Sequence, residues 1–266
     1  MNGFKTIGIT GAKGFIGKEL SYHLHKKGYT LVLFSNEEIL KGANLKYIKK
    51  DLKDCSYEDF IGIDTLFHLA GTSFNKDSLV KNFLLTDLTL KNAVKANVKK
   101  FFLVSSYAVY GNRKEPAEVN DELNPLDEYS LSKILSEYLL KKEILNKSLG
   151  GSIIRSCSIY GDLGRGLINI IKNKIKNNEE ISIDSKFERQ YLYVEDLCKL
   201  FENLLKEDNL QLIYNIQGEK ASSKEIYSFL KEKGLKVSLG KAKKTSYLCR
   251  GLEIKSDMNV NKFLLQ

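Results

Sequence analysis

A chain of 266 residues and 30.2 kDa can bury one large α/β core, or a core with a small attached lobe. Its 42% apolar and 28% charged residues are ordinary for a globular protein, and no apolar run approaches the roughly 18 residues that cross a bilayer, so a cytoplasmic protein with no membrane partner is expected. Four cysteines far apart, Cys55, Cys157, Cys198 and Cys249, argue against a disulfide framework and a zinc site. The net charge of +9 comes from lysines spread through amphipathic segments such as 172–176 and 224–233, mixed with glutamates, so no nucleic-acid partner is expected, although a basic cleft would attract a phosphate-bearing substrate.

In chain order, Thr6–Thr10 reads as a short strand that meets Gly11, Gly14 and Gly17 before an apolar spacing resumes at Phe15, Ile16 and Leu20. Strand, tight turn and helix follow one another. Glycine there lets the chain reverse and lets backbone N–H groups approach a pyrophosphate with no Cβ in the way, at the positive end of a helix. Lys13 lies inside this loop. The second strand, Thr30–Phe34, runs into Ser35, Asn36, Glu37 and Glu38, where an NAD site usually carries an acid for the ribose 2′-hydroxyl. Ser35 and Asn36 do not repel a 2′-phosphate and Lys13 could pair with one, which leans slightly to NADP; Glu37 and Glu38 pull the other way. Residues 47–49 form a third strand ending near Asp51 and Leu52, and 65–69 a fourth that runs into Ala70 and Gly71. His68 reads as packed within that strand rather than as a ligand or base.

From 78 to 96 the apolar positions Leu79, Phe83, Leu84, Leu88, Leu90, Ala93 and Val94 recur at helical spacing, and 100–105 is a buried parallel strand by its unbroken apolar run. The strand ends at Ser105, Ser106 and Tyr107, where open α/β sheets bind ligands. Tyr129 and Lys133, four apart on a helix reaching Leu140, share one face. A phenol with a pKa near 10 is a poor base, but an adjacent ammonium and a positive nicotinamide favour the phenolate, which could then exchange a proton with a substrate hydroxyl or carbonyl. Ser106 would hold the same oxygen. Beyond these lie a strand at 151–155, a helix at Leu167–Lys176, a strand at 212–216 and a helix capped by Ser222 or Ser223.

The stretches TGAKGFIG, FHLAG, SSYAVYG and Tyr129-Ser-Leu-Ser-Lys133, in that order, resemble the extended short-chain dehydrogenases, a branch of nucleotide-sugar epimerases, dehydratases and reductases. The resemblance implies an α/β fold: a Rossmann-type doubly wound parallel sheet over residues 1–160, and a smaller α/β substrate lobe over 161–266, whose helix near 194–206 packs back on the first domain. It implies a catalytic set of Ser106, Tyr129 and Lys133, with Lys133 also holding the nicotinamide ribose. Asp51 and Leu52 would meet the adenine, and Leu69, Ala70 and Gly71 would line the cofactor. Phe187-Glu-Arg-Gln-Tyr resembles the family signature in which Arg189 binds the substrate diphosphate.

In RSCSIYG, Ser156 replaces the family proline and Ser158 the asparagine that touches the diphosphate, while Tyr107 takes a substrate-shaping position. The Asp-Glu pair that dehydratases carry after the serine is absent. The tail, 256–265, is similar to the terminal family helix but stops early, which implies a short lobe. The implied function is an NAD(P)-dependent epimerase or 4-keto reductase at C4 of a nucleotide-activated sugar, without a metal, as a homodimer through the helices after Ser78 and Tyr129. The alternative is a non-catalytic dinucleotide sensor or scaffold, a kind of relative that tends to lose the tyrosine or lysine kept here.

Overall fold

Alternation of apolar strands with amphipathic helices builds the first half of the chain. In the computed structural model, which describes residues 5–72, 77–184, 187–240 and 245–266, the strands are β1 (Thr6–Thr10), β2 (Thr30–Phe34), β3 (Leu45–Ile48), β4 (Thr65–His68), β5 (Lys100–Ser106) and β6 (Gly150–Ser156). Among them run helices α1 (Phe15–Lys26), α2 (Ser78–Lys95) and α3 (Glu128–Leu145). The second half supplies β7 (Ser158–Tyr160), α4 (Leu167–Lys176), β8 (Ile181–Asp184), β9 (Phe187–Tyr193), α5 (Val194–Lys206) and β10 (Ile213–Gln217). It closes with β11 (Glu219–Ser222), α6 (Ser223–Glu232), β12 (Val237–Gly240), β13 (Thr245–Tyr247), β14 (Leu252–Glu253) and α7 (Val260–Leu264).

Eight strands form one parallel sheet in the order β14-β10-β6-β5-β4-β1-β2-β3. This is the doubly wound Rossmann-type arrangement. Its central strands are buried on both faces, and β5 divides accordingly: Phe102 and Val104 join a core with Leu20, Leu24, Leu197 and Phe201, while Phe101 and Leu103 join one with Phe60, Leu90, Ala93 and Leu140. Helices α1 and α5 thus cover one face and α2 and α3 the other. Glu202 of α5 meets His23 of α1 at 2.8 Å.

Strand order reverses between β1 and β4, the crevice where such sheets bind ligands. Gly11 takes φ +66°, and a Cβ there would fall 2.8 Å from the Ala70 backbone; one on Gly17 would fall 2.2 Å from the Gly11 carbonyl oxygen. These two positions bring β1, α1 and the end of β4 too close together for any side chain.

A smaller four-stranded sheet joins β11 and β13 to the two edges of β9, with β7 also paired to β9, beside a separate β8–β12 pair. Its core contains Tyr160, Ile168, Phe187, Ile226, Leu230 and Phe263. The expected division at residue 161 separates the chain but not the sheet, because β10 pairs with β6 and carries β14 on its far edge. A strand of four or five residues says nothing locally about which sheet it joins.

Candidate active site

A cavity of about 580 Å³ opens at the reversal point and is lined by Gly11, Lys13, Gly14, Phe15, Ile16, Gly17, Leu69 and Gly71 from the β1 and β4 ends, with Val104, Ser105, Tyr129 and Lys133 opposite. Gly14 caps α1 with no side chain over the helix end, so the first-turn N–H groups face this space. The glycine cradle, the free helix end and the cationic Lys13 and Lys18 on its wall suit a dinucleotide pyrophosphate.

Helix α3 starts where it does because Asp127 and Ser130 form a capping box, Ser130 N–H donating to Asp127 Oδ1 at 2.7 Å. That fixes Tyr129 in the first turn and Lys133 one turn on. The Ser106 hydroxyl accepts from Ala108 N–H at 3.2 Å and lies close enough to the Tyr129 hydroxyl to pull its pKa down. Lys133 Nζ donates to the Val104 carbonyl at 2.8 Å and lies 5.7 Å from the Tyr129 ring centre. Burial pulls the Lys133 pKa down to about 8, against the opposing pull of Glu137.

With no nicotinamide beside it, burial raises the Tyr129 pKa, Ser106 being the opposing influence, and the Lys133 ammonium is turned to Val104. The phenol of the free protein is therefore a proton donor.

Behind these residues the sheet and helices are joined by polar contacts. Asn82 Nδ2 donates to the Thr72 carbonyl (2.9 Å) and to Ser132 Oγ (3.0 Å), and its Oδ1 accepts from Thr72 N–H, so the loop after β4 is tied to α3. His68 is buried between Thr10 Oγ1 (2.9 Å) and Thr86 Oγ1 (3.2 Å), and burial, aided by Lys133, holds its pKa at about 3, which leaves it neutral. Glu137 accepts from Ser105 Oγ (2.6 Å) and from Arg155 Nε (2.9 Å) and its terminal nitrogen (2.7 Å).

Most of the other expected residues lie away from this cavity wall. Ser35 is buried and closes a turn on Glu37, donating to its carbonyl at 2.7 Å; Asn36 donates to Asp51 at 3.3 Å. Asp51 is exposed and Leu52 half-buried against the core, both past the C-terminal end of β3, and Lys13 pairs with Glu37 at 3.3 Å. Ala70 packs beneath Gly11. Tyr107 is buried with its hydroxyl 2.7 Å from Ser158 Oγ, and burial pushes its pKa up to about 12. Ser158 and Arg189 line a second cavity of about 80 Å³, which shares Ile159 and Gly166 with the large one.

Sequence reasoning missed Thr72, Leu163 and Arg165 on the large cavity and Tyr191 on the small one. Gly161, Gly164 and Gly166 around Arg165 were the available signal of a tight, ligand-facing loop. Among the described residues no group of three or more His, Cys, Asp or Glu could hold a metal, and no described helix is long and apolar enough to cross a membrane.

Sheet order and cavity together define a dinucleotide-binding α/β protein of the extended short-chain dehydrogenase type. The chain belongs to the NAD dependent epimerase/dehydratase family, whose pattern matches residues 7–216. It is 28% identical over 253 residues to the dTDP-D-glucose 4,6-dehydratase of Dictyostelium discoideum, a match covering 78% of this chain and 57% of that protein. It is 29% identical over 250 residues to the dTDP-4-dehydro-6-deoxyglucose reductase of Escherichia coli, covering 82% of this chain and 78% of that protein. Among solved structures, a variant UDP-glucuronic acid 4-epimerase from Bacillus cereus, in complex with UDP-4-deoxy-4-fluoro-glucuronic acid and NAD, shares the fold with a TM-score of 0.85 at 20% identity, over 97% of this chain and 96% of that one.

Proposed function

We propose that the protein is an NAD(P)-dependent enzyme acting at C4 of a nucleotide-activated sugar, as an epimerase or a 4-keto reductase, and that it works as a homodimer. The observation that carries this reading is the placing of Tyr129, with Ser106 close by, on the same cavity as the glycine loop and Lys133. Gly11, Gly14, Gly17 and the α1 N-terminus would hold the pyrophosphate, Leu69, Ala70 and Gly71 the inner wall, and Lys133 the nicotinamide ribose. Ser35, Asn36, Asp51 and Leu52 would flank the adenosine end. The bound dinucleotide supplies a hydride acceptor or donor.

Tyr129 then gives its proton to a sugar carbonyl oxygen during reduction and recovers one from the hydroxyl in reverse, with Ser106 holding that oxygen. Arg189, Ser158 and Tyr107 would hold the substrate's far end. Tyr107 and Ala108 follow Ser106 with no carboxylate to serve a 4,6-elimination, which favours epimerisation or reduction over dehydration. The Lys13–Glu37 pair weakens the case for a 2′-phosphate, because the ammonium already has a carboxylate beside it.

The test is incubation with UDP-, dTDP-, GDP- and CDP-sugars, with and without NADH or NADPH. Turnover of one of them is expected, and Tyr129→Phe should retain dinucleotide binding while losing roughly 10²–10⁴-fold in rate. Near-normal turnover by that variant removes the assigned role.

A further inference from the structure

The small cavity holds two polar groups that the protein itself leaves unsatisfied. Arg189 Nε and the Tyr191 hydroxyl are buried and have no hydrogen-bond partner among the described residues. A buried donor without a partner costs free energy comparable to a lost hydrogen bond, and such orphans call for an explanation.

Neither group is orphaned for want of an ordered surrounding. Both residues belong to β9, whose backbone is paired on both edges: Ala221 of β11 lies opposite Arg189, and Ser158 of β7 opposite Tyr191. The guanidinium stacks near the rings of Phe187 (5.3 Å) and Tyr247 (5.8 Å), and the Tyr107 and Tyr247 rings lie 5.7 Å apart. The remaining hydroxyls nearby, those of Tyr107 and Ser158, satisfy each other at 2.7 Å. What the wall still offers is a cation and a phenol.

The missing partner must therefore supply acceptors, and beside a guanidinium it should be anionic. At roughly 10–15 Å³ per water, the cavity's 80 Å³ has room for about five to eight waters or one phosphoryl group. It also adjoins the large cavity through Ile159 and Gly166, so a ligand lying across both would place its reacting end near Tyr129 and an anionic link here.

We infer that Tyr191 is a specificity-determining residue whose hydroxyl, together with Arg189, grips a phosphoryl group of the substrate's diphosphate link. This rests on the proposed action on a nucleotide-activated sugar. Burial raises the Tyr191 pKa, so its hydroxyl keeps its proton and serves as a donor. Phenylalanine at 191 would fill the same space and pack equally well; the hydroxyl adds only recognition.

The test is calorimetric titration of wild type, Tyr191→Phe and Arg189→Met with UDP, dTDP, GDP, CDP, uridine and glucuronic acid, with NAD titrated as a control. A hydrogen bond to a charged partner predicts that Tyr191→Phe binds the preferred nucleoside diphosphate about tenfold or more weakly. NAD affinity should be unchanged, and the melting temperature of the free variant should not fall, since an unsatisfied hydroxyl has been removed. Arg189→Met should weaken the same ligand at least as much. Equal diphosphate binding by Tyr191→Phe and wild type, with Arg189→Met impaired, overturns the assignment while leaving the proposed function intact. Loss confined to glucuronic acid also overturns it, assigning the hydroxyl to a sugar carboxylate. Failure of wild type to bind any nucleoside diphosphate overturns the reading of the substrate, and this inference with it.

Discussion

Lys133 is a charge placed where charge is disfavoured, and the sign of that placement can be measured. Burial takes its pKa from 10.5 to about 8, so between those values the unfolded chain binds more protons than the folded one. Stability contributed by this residue therefore rises with pH across that window, and below pH 8 the full penalty is present. At about 1.4 kcal/mol per pKa unit the penalty is on the order of 3 kcal/mol. Lys133→Met removes it but leaves the Val104 carbonyl without its donor, which returns about 1–3 kcal/mol. The variant should thus melt no lower than wild type at pH 7, lose this advantage as pH rises from about 8 to 10.5, and be without turnover. A clear fall in melting temperature at neutral pH would mean that the ammonium is held for structure. The neighbouring phenol points the same way: burial keeps Tyr129 protonated, so oxidation of a substrate hydroxyl, which needs the phenolate, should accelerate as pH rises.

At the level of elements, α3 is locked to the sheet by one buried carboxylate. Glu137, a turn beyond Lys133, receives Ser105 of β5 and two of the three guanidinium nitrogens of Arg155 of β6, and the third donates to the Tyr110 hydroxyl at 2.6 Å. Both charged side chains are 2% exposed or less. Removing one partner strands the other charge, so Glu137→Gln should cost about 3–5 kcal/mol in urea unfolding, and adding Arg155→Met should recover much of that loss. An unrecovered double variant would show that Ser105 or Tyr110, rather than the ion pair, sets the cost. This lock was illegible in the sequence because each partner looks ordinary in its own segment: a glutamate on a helix, an arginine ending a strand. The glycine loop, Tyr129 and Lys133 were legible because their chemistry depends on spacing within one element. The internal contacts of Ser35 and Asn36 were illegible for the former reason, since the turn onto Glu37 and the reach to Asp51 exist only in the fold.

Across the whole molecule, the two sheet faces are finished differently. Helices α1 and α5 meet over one face, whereas α2 and α3 join through Asn82–Ser132 and Thr86–Ser136 hydrogen bonds and turn apolar side chains outward. On α2, Val80, Leu84 and Leu88 are 60%, 48% and 37% exposed at four-residue spacing; on α3, Leu131, Tyr138 and Leu145 are 36%, 66% and 75% exposed at seven-residue spacing. Each spacing keeps its residues along one side of its helix. A single exposed leucine needs no explanation, but two such stripes on adjoining helices make a patch that calls for a partner. The proposed homodimer would supply one, since a two-fold axis would let the same patch cover itself and turn two helices into four. Sedimentation at micromolar concentration should find a dimer. Leu84→Glu with Leu88→Glu should give a monomer that still binds dinucleotide, because neither residue lines either cavity. A wild-type monomer at tens of micromolar would leave the stripes without that partner.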